Sequence, residues 1–119
     1  MIPMGASMSD TGWLYPFNEI ASALPPETEP LRFAIAGRHG SMSLGLYAPR
    51  GEDVQTPHEQ DELYVIASGS GTFVKNGERR DFVAQDVIFV EAGVPHRFEQ
   101  VSDDFSAWVV FWGPPGGEH

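Results

Sequence analysis

The chain contains no cysteine, carries only 7 Lys and Arg against 17 Asp and Glu, and has no long apolar run. Each shortage excludes something. Without cysteine there is no disulfide, no thiolate ligand and no thiol nucleophile, so any metal must be held by nitrogen and oxygen. A formal net charge of −10 repels phosphate backbones and anionic lipid surfaces, which argues against nucleic acid and membrane as partners. Spanning a bilayer takes about 20 consecutive apolar residues, and no segment approaches that. The N-terminal stretch MIPMGASMSDTGWLYPFNEI has neither a basic n-region nor a continuous apolar core, so it does not read as a signal peptide, and a cytoplasmic location is the default expectation.

What remains is an ordinary globular composition, 41% apolar over 119 residues, enough for a single core. Residues 1–30 are rich in Pro, Gly, Ser and Glu and read as a partly ordered arm, with a short helix possible over Pro16–Leu24 before Pro25-Pro26 stops it. Trp13, Leu14, Tyr15 and Phe17 are too apolar for a free tail and are expected to pack on the main domain or on a second subunit.

From Leu31 to Gly113 short β-type runs recur with turn residues between them: LRFAIAG, MSLGLYA, ELYVIA, GTFVK, RRDFV, DVIFV, HRFEQV and FSAWVVFW. Such spacing predicts an antiparallel sandwich or barrel. Asn76-Gly77 joins two of the runs, and both residues tolerate the positive φ of a type I′ hairpin turn. Phe105–Trp112 is apolar on both parities, so it is expected to be covered on both faces, with a homodimer supplying one cover. Residues 114–119 read as a flexible Gly/Pro tail.

Of four histidines, His58 and His96 stand in contexts that carry chemistry. His58 precedes Glu59, Gln60, Asp61 and Glu62. On a straight strand, residues four apart are about 13 Å from each other, too far to share an ion. LYVIA after Glu62 is β-type, so His58 and Glu62 meet only if the backbone bends through Glu59–Asp61.

These residues resemble the first motif of the cupin superfamily, a His-x-His, three or four residues, a Glu, then six residues and a Gly. Thr56-Pro57-His58, Glu62 and Gly69 follow it, with Thr56 where the first histidine usually stands. The second cupin motif, Gly-x5-Pro-x-Gly-x2-His-x3-Asn, is similar to Gln85 through Gln100, with Gly93 and His96 retained and Gln85, Glu91 and Gln100 as departures. The resemblance covers roughly Met42 to Trp112 and implies an all-β, single-domain, antiparallel jelly-roll barrel, to which residues 31–113 are assigned. It also implies one divalent transition metal (Fe, Ni, Mn, Co or Zn) held by His58, Glu62 and His96. Two histidines and a carboxylate leave open positions for water, substrate or O₂, and Gln60 or Thr56 could fill one.

Alternation places further side chains. If Glu62 points inward, so do Tyr64 and Ile66; if His96 does, so do Phe98 and Gln100. With Trp108, Val110 and Trp112, or the opposite parity of that strand, these would wall a small-molecule pocket. Tyr64 and Gln60 are the candidates for a catalytic role. The resemblance implies a metal-dependent, dioxygenase-type enzyme, a redox-neutral isomerase, epimerase or lyase, or a non-catalytic binding barrel.

Overall fold

The computed structural model describes residues 12–119. A short helix α1 (Phe17–Ala21) precedes eight strands: β1 (Phe33–His39), β2 (Met42–Tyr47), β3 (Asp61–Ser68), β4 (Ser70–Lys75), β5 (Glu78–Val83), β6 (Val87–Val90), β7 (His96–Glu99) and β8 (Ser106–Trp112). They form two antiparallel sheets, ordered β1-β2-β8-β3-β6 and β5-β4-β7. This is the all-β jelly-roll barrel that the motifs imply, and every β-type run in the sequence supplies one strand. No helix among the described residues is long and apolar enough to cross a membrane.

The local chemistry explains the joints. Asn76 and Gly77 have φ of 50° and 87°, and the hairpin closes with Lys75 opposite Glu78. Gly69, between β3 and β4, has φ of 84°, and a Cβ there would stand 2.7 Å from the Phe105 Cα, so only glycine fits the corner.

Between the sheets lies an aromatic core of Tyr47, Tyr64, Phe73, Phe82, Phe98 and Phe105, with Ile66, Val90, Ala107 and Val109. Their rings meet mostly edge to face or tilted, as at Tyr64 and Phe98 (4.9 Å, 81°). A second, smaller cluster sits on the outer face of the larger sheet, where Ile20 of α1 covers Ala34, Ala36 and Leu46. Tyr15 and Trp108 join that cluster, and the Phe17 ring meets Trp108 edge-on at 6.1 Å. The N-terminal segment thus covers part of the second face of β8, while Trp13 and Leu14 stay exposed. The part of the expected arm before residue 12 lies outside the described residues.

Residues 114–119, expected as a flexible tail, follow Gly113 back against the rim of the barrel. Gly113 N–H donates to Ser41 Oγ (3.0 Å), Gly116 N–H to the Glu59 carbonyl (2.7 Å) and Glu118 N–H to Asp61 Oδ2 (2.9 Å).

Candidate metal centre

The loop from Ala48 to Gln60 carries His58 to the start of β3, where the backbone bends at Glu59 and Gln60. The bend is held from outside: Gly93 N–H donates to the His58 carbonyl (2.8 Å), and Ala92 N–H donates to Asp61 Oδ1 (2.9 Å). Hydrogen bonds from the Glu118 and Ala92 backbone N–H groups keep the Asp61 carboxyl below the usual carboxylate range. Gly93, at φ 81°, turns the same loop so that β7 opens with His96 facing inward. The first and second motifs are therefore bonded to each other at the rim.

The result is a cluster in which one donor atom from each of His58, Glu62 and His96 lies within 4.8 Å of the others. His96 Nε2 is 3.0 Å from Glu62 Oε1, and His58 Nε2 is 3.9 Å from Glu62 Oε2. The imidazole rings of His58 and His96 are 5.7 Å apart, and Phe111 meets the His58 ring edge-on at 4.8 Å.

Donor chemistry tests whether these residues fit a cation. His96 Nδ1 lies 2.9 Å from the Val94 carbonyl, which can only accept, so Nδ1 carries a proton and the neutral ring presents a lone pair at Nε2. That lone pair faces Glu62, and both carboxylate oxygens of Glu62 are buried without a hydrogen-bond partner. A buried carboxylate left unpaired is costly, and facing an imidazole lone pair raises the cost. A cation between them, a proton on His96 Nε2 or a metal ion, removes both penalties, so the donor set fits a metal.

The surrounding charges tune each ring differently. Burial opposes a charge on His96, but the adjacent Glu62 and the Val94 carbonyl outweigh it and hold its pKa above the ordinary imidazole value. Burial lowers the pKa of His58, partly countered by Glu62. Tyr64 is pushed well above the ordinary phenol range, by burial first and by the Glu62 charge second. Its hydroxyl therefore stays protonated, 3.0 Å from Gln55 Oε1 and 3.1 Å from His96 Nε2.

The cluster opens into a cavity of about 560 Å³ lined in part by Phe33, Tyr47, Gln55, Tyr64, Val109 and Phe111, with Pro115 of the tail at its edge. Volume and lining are those of a small-molecule site. Tyr64 is on this wall as expected from the sequence.

Other expected positions differ. Ile66 and Phe98 face inward but belong to the packed core rather than to the cavity wall. Trp108 lies on the opposite face of β8, in the cluster under α1, and the opposite parity, Val109 and Phe111, lines the cavity. Gln100 is exposed, because its φ of 52° ends the alternation of β7 at Glu99. Thr56 is exposed as well. Gln60 reaches the cavity rim, but its amide donates to the Ser41 carbonyl (3.0 Å) and the Gly113 carbonyl (2.9 Å), which makes it a tie between strands and tail rather than a group free for catalysis.

Two residues that the motif comparison passes over are central. Asp53 is buried and accepts from the Tyr47 hydroxyl, from Gln55 N–H (3.2 Å), from Gln55 Nε2 (2.7 Å) and from Phe98 N–H (2.8 Å). Burial, then the bond to Asp53, raises the Tyr47 hydroxyl far above the usual phenol range, so it stays a donor.

The family profile for the cupin domain matches residues 43–112. An uncharacterized protein of Streptomyces coelicolor is 40% identical over 80 residues, covering 66% of this chain and 75% of that protein. Among solved structures, KdgF from Halomonas sp. superposes with a TM-score of 0.68 at 16% identity, over 87% of this chain and 96% of that one. A single-substitution variant of Streptomyces PAC13 with uridine gives a TM-score of 0.61 at 17% identity, over 92% and 86%. DMSP lyase structures match with a TM-score of 0.61 at 19% identity, over 71% and 48%.

Proposed function

Since the chain belongs to the cupin family, we propose that it is a metal-dependent enzyme that binds one divalent transition metal through His58, Glu62 and His96 and acts on a small polar molecule in the adjoining cavity. The observation that carries this reading is the orphaned Glu62 carboxylate, buried between two imidazoles at the floor of an open cavity. When bound, the metal supplies a Lewis acid, or an O₂-activating centre if it is iron. The residues do the remaining work. Val94 fixes the tautomer of His96, Phe111 and Phe33 give the cavity an apolar wall, and the Tyr64 hydroxyl, which donates to Gln55 Oε1, would have to turn from it to hydrogen-bond a molecule beside the centre.

Two histidines and one carboxylate resemble the triad of non-haem Fe(II) oxygenases, which supports a dioxygenase-type reaction. A redox-neutral isomerase or lyase reaction is favoured instead by the protonated Tyr64 hydroxyl next to the centre. The similarity to DMSP lyases and to a uridine-bound protein is consistent with small polar substrates, as a likeness of fold. Loading the metal-free protein with Fe(II) and recording O₂ uptake across a panel of small phenols, diketones, thiols and sugar acids tests the first reading. Uptake with turnover supports it, and conversion under anaerobic conditions with Mn, Ni, Co or Zn supports the second. Thermal shifts without product in either series would leave a binding barrel.

The reading includes a homodimer. On the outer face of the larger sheet, beyond the part under α1, Val87 and Phe89 of β6 are exposed and Leu63, Val110 and Trp112 are half-buried. Such a contiguous apolar face supports cover by a second copy.

A further inference from the structure

The usual cupin pattern has a histidine where this chain has Thr56, and Thr56 is exposed to solvent. We propose that Gln55 takes over that role, supplying a fourth protein donor to the metal through its side-chain amide oxygen, with Asp53 as the residue that aims it. This rests on the reading of His58, Glu62 and His96 as a metal site.

Asp53 determines which end of the amide faces the site. Gln55 has one donor end and one acceptor end, and its Nε2 stands 2.7 Å from Asp53 Oδ2, a carboxylate oxygen that can only accept. The oxygen must therefore be the end turned toward the cluster. Asp53 itself cannot swing away, since the Phe98 and Gln55 backbone N–H groups and the Tyr47 hydroxyl all donate to it from three different segments.

Two donor pairs are spaced as donors around one ion are, and His58 Nε2 to Glu62 Oε2, at 3.9 Å, is slightly wider. Nitrogen and oxygen ligands at about 2.0–2.2 Å from a metal stand roughly 3–3.5 Å from each other. Gln55 Oε1 is 3.4 Å from His58 Nε2, and His96 Nε2 is 3.0 Å from Glu62 Oε1. Tyr64 donates to the same Oε1 at 3.0 Å, which uses one of its two lone pairs and leaves the other for a cation. A neutral amide oxygen is a harder and weaker donor than the imidazole it replaces, so it should lower affinity for divalent transition metals generally, with the usual order of affinities among them retained.

The rival role for Gln55 is purely structural, as an acceptor for His58 and Tyr64. Co(II) titration of the metal-free full-length protein separates the two, because the visible d–d bands of Co(II) report coordination number and geometry. Wild type, Gln55→Leu and Gln55→Asn are compared, with thermal melts to verify folding. The expected result is Co(II) binding by wild type, a changed band intensity in both variants, and affinity weaker by about tenfold or more. Variants that fold and bind Co(II) with wild-type bands and affinity would overturn the Gln55 assignment while leaving the three-residue site standing. Wild type that binds no Co(II) would overturn both readings together. Should neither variant fold, a crystal structure of the Co(II)-loaded wild type decides: Oε1 at about 2.1–2.2 Å from the ion supports the assignment, and beyond about 3 Å refutes it.

Discussion

His96 Nε2 stands 3.0 Å from Glu62 Oε1, with each side chain only 1% exposed. Because the Val94 carbonyl holds the ring proton at Nδ1, the two facing atoms of the neutral ring and the carboxylate are both acceptors. With the ring neutral the metal-free fold thus contains a local conflict that a cation relieves, either a metal ion or the proton that Glu62 helps His96 to retain.

That conflict predicts a stability effect opposite to the functional one. At a pH where His96 is neutral, Glu62→Leu should abolish metal binding yet raise the stability of the metal-free protein by about 1–2 kcal/mol, since a buried unpaired carboxylate gives way to an apolar side chain of similar size; below that pH the gain should shrink, because protonated His96 pairs with Glu62. Urea unfolding in the presence of a chelator measures it. A metal-free Glu62→Leu protein less stable than wild type would mean that the carboxylate is satisfied in solution.

Asp53 is expected to be among the most sensitive positions of the barrel. Its carboxylate joins the loop before His58 to β2 through Tyr47 and to β7 through Phe98 N–H. Asp53→Ala leaves a buried backbone donor unpaired and should cost about 2–3 kcal/mol. Tyr47→Phe alone should cost about 1 kcal/mol. In a double-mutant cycle the two should be non-additive, because they share the bond; additive losses would show that the pair is not coupled.

Two glycines of the motifs have the same backbone conformation and different surroundings, which separates strain from steric exclusion. At Gly69 (φ 84°) an added Cβ would meet the Phe105 backbone at 2.7 Å, whereas at Gly93 (φ 81°) nothing lies within 4 Å. Gly93→Ala should therefore cost only the left-handed strain, about 1–2 kcal/mol. Gly69→Ala should cost distinctly more, because backbone must also move. Equal losses in chemical denaturation would contradict this account of the β3–β4 corner.

The open face of β6 carries the expectation for assembly. Phe89 is exposed and its ring lies 6.2 Å from that of Trp112. Phe89→Lys should shift a dimer to monomer in sedimentation without altering the monomer's far-UV spectrum. Wild type that sediments as a monomer at every concentration would remove the dimer from the reading.

Strand positions were legible in the sequence because turn residues such as Asn76-Gly77 and alternation along β3 act locally. His58, Glu62 and His96 were legible because their spacings to Gly69 and Gly93 constrain where the chain must turn. The misplacements have equally local causes. Trp108 could not be assigned a face from β8, whose residues are apolar on both parities. Gln100 followed the alternation of β7 on paper, but its positive φ breaks that alternation. Asp53 and Gln55 lie in a loop with no periodicity, and their roles come from Phe98 and Tyr47, which belong to other strands. Gln60 looked like a free donor only because the residues it ties, Ser41 and Gly113, come from opposite ends of the barrel sequence.

The most direct test of the metal site is stoichiometry by elemental analysis of untagged protein, reconstituted with Fe(II), Mn(II), Co(II), Ni(II) or Zn(II) and then desalted, beside a His58→Ala, His96→Ala variant shown to be folded. Close to one ion per chain is expected in wild type with at least one of these metals, and none retained by the variant. Wild type that retains no ion, or a variant that retains as much as wild type, would contradict the assignment of His58, Glu62 and His96 as ligands.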